Sequence, residues 1–423
     1  MSFSTAISGV NAATKDLNVI SNNIANASTT GFKASQAQFA EVFASSLLGS
    51  GAAATGQGVA LTEIRADFSQ GNIEFTSNAL DLAISGNGFF VLEGDNGGRE
   101  FTRAGAFRVN RDGFLTNANG NKLQGFQANV DGQITGELSD LFIDTTLIEP
   151  AASTSVDITQ NLDSRDEIVT TTPFSSSDPN SYSAATSTTV YDSLGNSHVL
   201  DVFYVKIAPT AGGNNQYAVY TAFDGVATGS AAGTPTQGVL QGTLEFNSLG
   251  ELVSGSPVTG AGAATAIVFD PENGADDISL TLDVSATTQF GTDFAVSSIT
   301  QDGYGAGQLI AFEFDESGVA FARFTNGQSR AIGQVALASF RNNNGLQPVG
   351  NTSFAETFSS GTATVGSPGT GGRGAIQSSA VETANVDITN ELVNLIIAQR
   401  NFSANAQVIS ANDQLTQTII NLR

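Results

Sequence analysis

The chain offers little to build catalysis from. It has 423 residues, one histidine, His198, and no cysteine. Thiolate nucleophiles, disulfides, Cys-ligated zinc or iron–sulfur centres and multi-His metal sites are therefore excluded. A Ser-His-Asp arrangement would depend on His198, which follows the turn Asp192-Ser-Leu-Gly-Asn196 and precedes a strand-like run. Its expected place is the surface or a strand edge. That turn and Asp270-Pro-Glu-Asn-Gly274 set acids beside glycine, but lack the alternating ligands and closing glutamate of a calcium loop. Asp276 and Asp277 are adjacent, and neighbours on a strand point to opposite faces, which does not suit paired acid–base work. Gly86-Asn87-Gly88 could suggest a phosphate loop, but strand-like runs flank it and no helix follows, so it reads as a hairpin turn. A glycan-active enzyme would need aromatic platforms, and tryptophan is absent. The expectation is no enzyme, no cofactor and no metal.

What the chain does carry, at both ends, is seven-residue apolar periodicity. Phe3, Val10, Leu17 and Ile24 recur every seven residues, with Ala6, Ala13, Ile20 and Ala27 three places behind. Val381, Ile388, Leu395, Phe402 and Ile409 repeat the pattern near the other end, widened by Leu392, Ile396, Ala406 and Ile420. Such stripes mark helices that bury one seam against another helix. The first is expected over residues 3 to about 27, capped by Ser2, with Gly31 just past its end. The second begins near Ser379, where Glu382 completes a capping box, or at Asn385. Two such helices imply an antiparallel pair with the rest of the chain looped out between them. Their other faces carry neutral Asn11, Asn18, Ser21, Asn22 and Asn23 rather than Lys and Glu. A neutral outer face suits burial against other copies, where unpaired charge is costly. The termini are expected to be disordered in the free monomer and to fold on assembly.

Between the helices the period changes to two. Leu80, Leu82 and Ile84 alternate, and turn dipeptides recur at Asn96-Gly97, Asp112-Gly113, Asn119-Gly120 and Asp131-Gly132, an all-β spacing. The pattern resumes near residue 298, with Asp302-Gly303, Asn326-Gly327 and Asn344-Gly345. Residues 151–297 set sixteen acids against Arg165 and Lys206 and include strand-like runs at 199–207 and 278–284. The expected fold is α+β and multidomain. Residues 1–30 and 379–423 form a helical coiled-coil domain, and 31–71 with 361–378 a connector. Residues 72–148 with 298–360 form a discontinuous inner β domain, and 149–297 an inserted, solvent-facing outer β domain. A net charge of −24 rules against nucleic acid, which needs a basic footprint. No apolar run approaches the roughly 18–20 residues of a membrane span, and the N-terminus lacks the basic and apolar regions of a cleavable signal peptide.

The run Leu17-Asn-Val-Ile-Ser-Asn-Asn-Ile-Ala-Asn-Ala-Ser-Thr-Thr-Gly-Phe-Lys33 resembles the N-terminal signature of bacterial flagellar rod, hook and hook-associated proteins, carried here by Asn22, Asn23, Asn26, Gly31, Phe32 and Lys33. Val386-Asp-Ile, Glu391-Leu-Val-Asn-Leu-Ile-Ile-Ala-Gln-Arg400-Asn-Phe and Ala404-Asn-Ala through Asn421-Leu-Arg423 resemble its C-terminal signature, with Gln399, Arg400 and Asn405. Asp81 to Phe90 and Phe101-Thr-Arg-Ala-Gly-Ala-Phe107 resemble its inner β domain. Distal rod proteins share these motifs but lack a large central domain, so the chain is more similar to the hook members. An extracellular adhesin is a further alternative, though no anchoring region is visible. The resemblance implies a homopolymer, a curved flexible tube that passes torque from rod to filament. It also implies export without signal cleavage to the outside of the cell. Implied partners are a hook cap, the distal rod, the hook–filament junction proteins and the flagellar export apparatus.

Overall fold

The computed structural model describes residues 3–42, 56–94, 97–129, 132–143, 147–209, 212–227, 238–256, 258 and 266–421. Ser2, Asn96, Asp131 and Arg423 of the expectations above lie outside them. The chain divides into two compact units, Met1–Thr145 with Ile310–Arg323 and Ser329–Arg423, and Thr146–Leu309 with Phe324–Gln328.

Among the described residues the first unit holds both α-helices, α1 (Phe3–Ala25) and α2 (Ile388–Asn421). α2 starts later than expected. Asp387 is its cap, accepting the N–H groups of Thr389 (2.9 Å) and Asn390 (3.2 Å). Ser379 cannot open a helix because it sits at φ +54°. Val381 and Glu382 belong to a strand, Ala380–Glu382, paired with Ile73–Phe75. Asn385 is likewise not a cap: its side chain bonds Ala34 N, Asp67 O and Ser69. Long-range bonds of the Glu382 and Asn385 side chains override the local capping signal.

Residues 31–71, expected as a connector, contain an antiparallel hairpin, Ser35–Glu41 with Val59–Ala66. It docks on α1, where Val59 N–H donates to Ser8 Oγ (3.2 Å). The other connector, 361–378, is also drawn into sheets: Thr364–Gly366 pairs with Leu337–Ser339, and Ala375–Ser378 with Leu82–Ser85. A thirteen-stranded sheet includes Ser329–Val335, Lys122–Ala128, Phe89–Glu93, Arg99–Thr102 and Ser353–Ala355 in consecutive order. Its core is phenylalanine-rich, with Phe101 edge-on to Phe340 at 4.8 Å and Phe68 to Phe354 at 5.2 Å. Gly97, Gly113, Gly120, Gly132 and Gly327 have positive φ, as expected of turn glycines, whereas Gly303 does not and Gly345 closes a 3-10 turn, Asn343–Gly345.

Gly86-Asn87-Gly88 is not a hairpin. Leu82–Ser85 pairs with Ala375–Ser378, while Phe89–Glu93 pairs with Arg99–Thr102. The two glycines, at φ +112° and +128°, carry the chain between sheets. Gln70 and Arg103 side chains take the Gly86 N–H and C=O.

The second unit packs two sheets over one core. Ser155–Asp163 and Ile278–Asp283 lie in the first sheet, and Ala184–Tyr191, Ser197–Ile207, Asn215–Phe223 and Gly242–Phe246 in the second. Val156, Ile158, Val202, Val219, Phe246 and Leu280 meet between them. The second sheet is covered on its other face too, where Phe174 stacks on Tyr220 at 4.3 Å. This is why Val202–Val205 is an unbroken apolar run, buried on both faces of the strand. Residues 298–309, assigned to the inner domain from sequence, fall in this unit. The reason is that Ala295–Gln301 pairs antiparallel along Ser155–Asp163.

Candidate assembly site

The two helices run antiparallel. Gly9 abuts the Asn405 side chain, and Asn23 Nδ2 donates to Glu391 Oε1 (3.1 Å). These contacts lie fourteen residues apart on both helices, so the register is constant. α1 turns its small residues inward: Ala6, Ala13 and Ile20 are buried, with Val19, whereas Val10, Leu17 and Ile24 are half-buried and Phe3 is exposed. From α2, Ala398 is buried, and Leu395, Asn405 and Ile409 are half-buried. Phe402 is at the margin of exposure. The same register sets Phe3 level with Ala411, so the end of α2 overhangs α1.

Most large apolar residues of α2 therefore face outward. Ile388, Leu392, Val393, Ile396, Ile397, Leu415 and Ile420 are all exposed, Ile396 by 54%. Ile388, Leu392 and Ile396 follow one another at i, i+4 and i+8 on one face. Gln399 and Arg400 are exposed beside them. The sequence stripe mixed two surfaces, a narrow seam within the chain and a wide apolar face outside it.

Below the helices the motif residues converge. Asn22 is exposed and Asn26 half-buried. Their backbone and side chains close the end of α1, where Asn26 Nδ2 donates to Asn22 O (3.0 Å). Asn23, expected on the outer face, is 1% exposed and ties three elements together. It exchanges two hydrogen bonds with the Ser35 backbone (2.8 and 2.9 Å) besides reaching Glu391. Gly31 is buried at φ +69° and donates to Glu382 O (2.7 Å). A Cβ there would lie 2.3 Å from Ala104 N. Gly31→Ala is thus expected to cost about 2–4 kcal/mol, from left-handed strain plus overpacking, read as a lowered melting transition of the first unit. Phe32 is half-buried and lines a cleft beside the junction.

Lys33 and Glu382 form an ion pair of 2.6 Å with both side chains fully buried. Arg103 completes it at 3.0 Å from the other carboxylate oxygen, while its second nitrogen donates to Gly86 O (2.8 Å). Lys33 also donates to Ser69 O (2.7 Å), and Gly71 N–H to Glu382 (2.8 Å). Burial pushes the Lys33 pKa below its ordinary value despite the pull of Glu382, and it does the same to Arg103. Glu382 thereby pins the start of the C-terminal segment to the end of the N-terminal one and to the β core. Sequence reading singled out Lys33 but not Glu382 as its partner. The usable signal was scarcity, because a lone lysine in a nearly uncharged segment needs a distant acid.

His198 is not at the surface. It is 8% exposed, with Nδ1 2.7 Å from Asp224 Oδ2 and Nε2 3.4 Å from Asp192 Oδ2. Asp192 is buried and closes the expected turn, accepting from Leu194 N, Asn196 N and Asn273 Nδ2. Burial opposes charge on His198, but the two carboxylates outweigh it and hold its pKa above 6.5. A folded pKa above the unfolded one gives stability that is complete below about pH 6.5 and lost as pH rises through the folded value. All six tyrosines lie in this unit and tryptophan is absent, so tyrosine fluorescence reports its unfolding alone. The urea midpoint is expected to fall as pH rises above 6.5, and His198→Gln to flatten that slope. Equal slopes in both proteins would contradict the assignment.

Among the described residues no three His, Cys, Asp or Glu side chains cluster to hold a metal ion, and no helix is long and apolar enough to cross a membrane. The first unit thus presents a helix pair whose outer face is apolar and exposed. Family comparison agrees along the chain. Residues 3–33 match the flagella basal body rod protein family, and 83–161 the flagellar hook protein FlgE/F/G D1 domain. Residues 161–304 match the flagellar basal body protein FlaE D2 domain, and 377–422 the C-terminal family of basal body rod proteins. The flagellar hook protein FlgE of Escherichia coli is 38% identical over the full length of both chains. Those of Rhizobium meliloti and Borreliella burgdorferi are 34% and 33% identical, each covering 99% of this chain and 98% of the relative. The chain belongs to the flagellar hook protein family. A solved hook protein, FlgE2 of Helicobacter pylori, shares the fold at a TM-score of 0.54 and 15% identity, covering 73% of this chain and all of that one.

Proposed function

We propose that this chain is the structural subunit of the flagellar hook, polymerising into a flexible curved tube that passes torque from rod to filament. The observation that carries the reading is the exposed apolar face of α2, Ile388, Leu392 and Ile396, together with Phe3 and Ile7 of α1. The α2 residues share one face at i, i+4 and i+8, and the α1 pair lies toward the other end of the helices; exposed apolar surface of this kind marks an interaction site. In this reading neighbouring copies bury it, and the subunit is neither an enzyme nor a cofactor carrier. The helical pair supplies affinity. The two β units supply compliance, because each keeps its own packed core while polar outer contacts re-form. The second unit sets eighteen acids against Arg165 and Lys206, and its self-repulsion discourages wrong contacts. The proposed setting is outside the cell, after export without signal cleavage. Cap, distal rod, junction proteins and export apparatus are the proposed partners. Electron microscopy of the concentrated full-length protein tests the reading: tubes of fixed diameter are expected, and a persistently monodisperse monomer would refute it.

A further inference from the structure

We propose that Phe358 is a knob that seats in the cleft beside the helix junction of a second copy of this chain, a proposal that rests on the polymer reading above. Single exposed apolar residues are common and need no explanation. Phe358 differs in being 104% exposed on a loop that is built rather than slack. Thr357 N–H donates to Ser360 Oγ (2.9 Å), and Thr357 Oγ1 accepts from Ser359 N (3.1 Å) and donates to Gly345 O (2.6 Å). Ser360 Oγ donates to Thr357 O (2.9 Å) and is buried, while Ala363 N–H donates to Glu356 (3.0 Å). An aromatic held outward in advance loses little freedom on binding, the property of an interface anchor.

The same unit carries a matching receptor. A cleft of about 800 Å³ is lined by Phe32, Ile64, Phe68, Leu346, Pro348 and Phe354, with asparagines at its edge. A second cleft shares Ala66, Phe68 and Asn344 with it and adds Arg65, Arg341 and one acid, Asp67. The knob is flanked by the exposed acid Glu356, and the cleft by two exposed arginines against one acid, so the balance of charge at the two surfaces is opposite. Knob and cleft lie close together on one chain, since Thr357 bonds Gly345 O beside Leu346 of the cleft. One copy's knob in the next copy's cleft, repeated head-to-tail, extends the polymer of the proposed function. That polymer reading and the opposite charges at the two surfaces select a second copy as the occupant.

The test uses full-length protein with Phe358→p-benzoylphenylalanine, co-assembled with isotopically heavy parent chain and irradiated. Light–heavy adducts on peptides containing residues 64–68 or 344–354 are expected. Adducts elsewhere, or only within one chain, would overturn the proposal. Phe358→Ala is expected to raise the concentration needed for assembly at least about tenfold with an unchanged melting transition. An unchanged threshold would count equally against the knob. Tubes that form normally without the predicted adducts defeat only this contact, whereas a parent chain that never assembles defeats the polymer reading beneath it.

Discussion

Ile396→Asp is expected to abolish polymerisation while leaving the monomer as stable as before. Ile396 lies on α2 with Ile388 and Leu392, on the face turned away from α1. Substitutions of exposed residues usually move stability by no more than about 0.5 kcal/mol. In a polymer the same position is buried between apolar neighbours, where an uncompensated carboxylate costs several kcal/mol or forces protonation. The cost recurs at every subunit, so growth stops rather than slows. Sedimentation gives the polymer fraction, and calorimetry the monomer transition. Leu395→Asp is the useful contrast, because Leu395 is half-buried toward α1. It is expected to lose the helix pairing as well as the polymer, with the β units still folded. Normal tubes from Ile396→Asp would show that the outer face is not an interface.

Glu382→Gln is the change expected to injure the monomer most. The substitution keeps shape but removes the charge that Lys33 and Arg103 share, with all three side chains almost wholly buried. Leaving cations uncompensated in the interior typically costs about 3–5 kcal/mol. The first unit's calorimetric transition should fall accordingly, while the tyrosine-reported transition of the second unit stays in place. Adding Lys33→Met is expected to restore part of the loss, because one buried charge then goes with its partner. A first-unit transition unchanged by Glu382→Gln would mean that water reaches the cluster.

The helices were legible because their period is local, and the turns at Gly97, Gly113, Gly120, Gly132 and Gly327 because each glycine takes a positive φ at its own position. What the sequence concealed was long-range. Ser379 and Glu382 spell a capping box, yet Glu382 answers to Lys33 and Arg103, which lie hundreds of residues earlier. Leu82–Ser85 and Phe89–Glu93 look like two arms of a hairpin, yet the partner of the first arrives from Ala375–Ser378. His198 looks like a surface residue until Asp224, twenty-six residues on, folds over it. In the proposed assembly site the apolar repeat located the two helices but not which of their residues face each other. Ala6, Ala13 and Gly9 set how closely the pair packs, and a small residue leaves a weak mark in a hydrophobic pattern. The exposed stripe of α2 was counted as seam because periodicity records which residues share a face, not what lies opposite.

A helical reconstruction of the assembled protein tests the central claim most directly. Ile388, Leu392 and Ile396 are predicted to be buried against the helices of neighbouring copies, with α1 and α2 still paired in the register that joins Gly9 to Asn405. A lattice held together by β units alone, with that face of α2 left open to water, would contradict it.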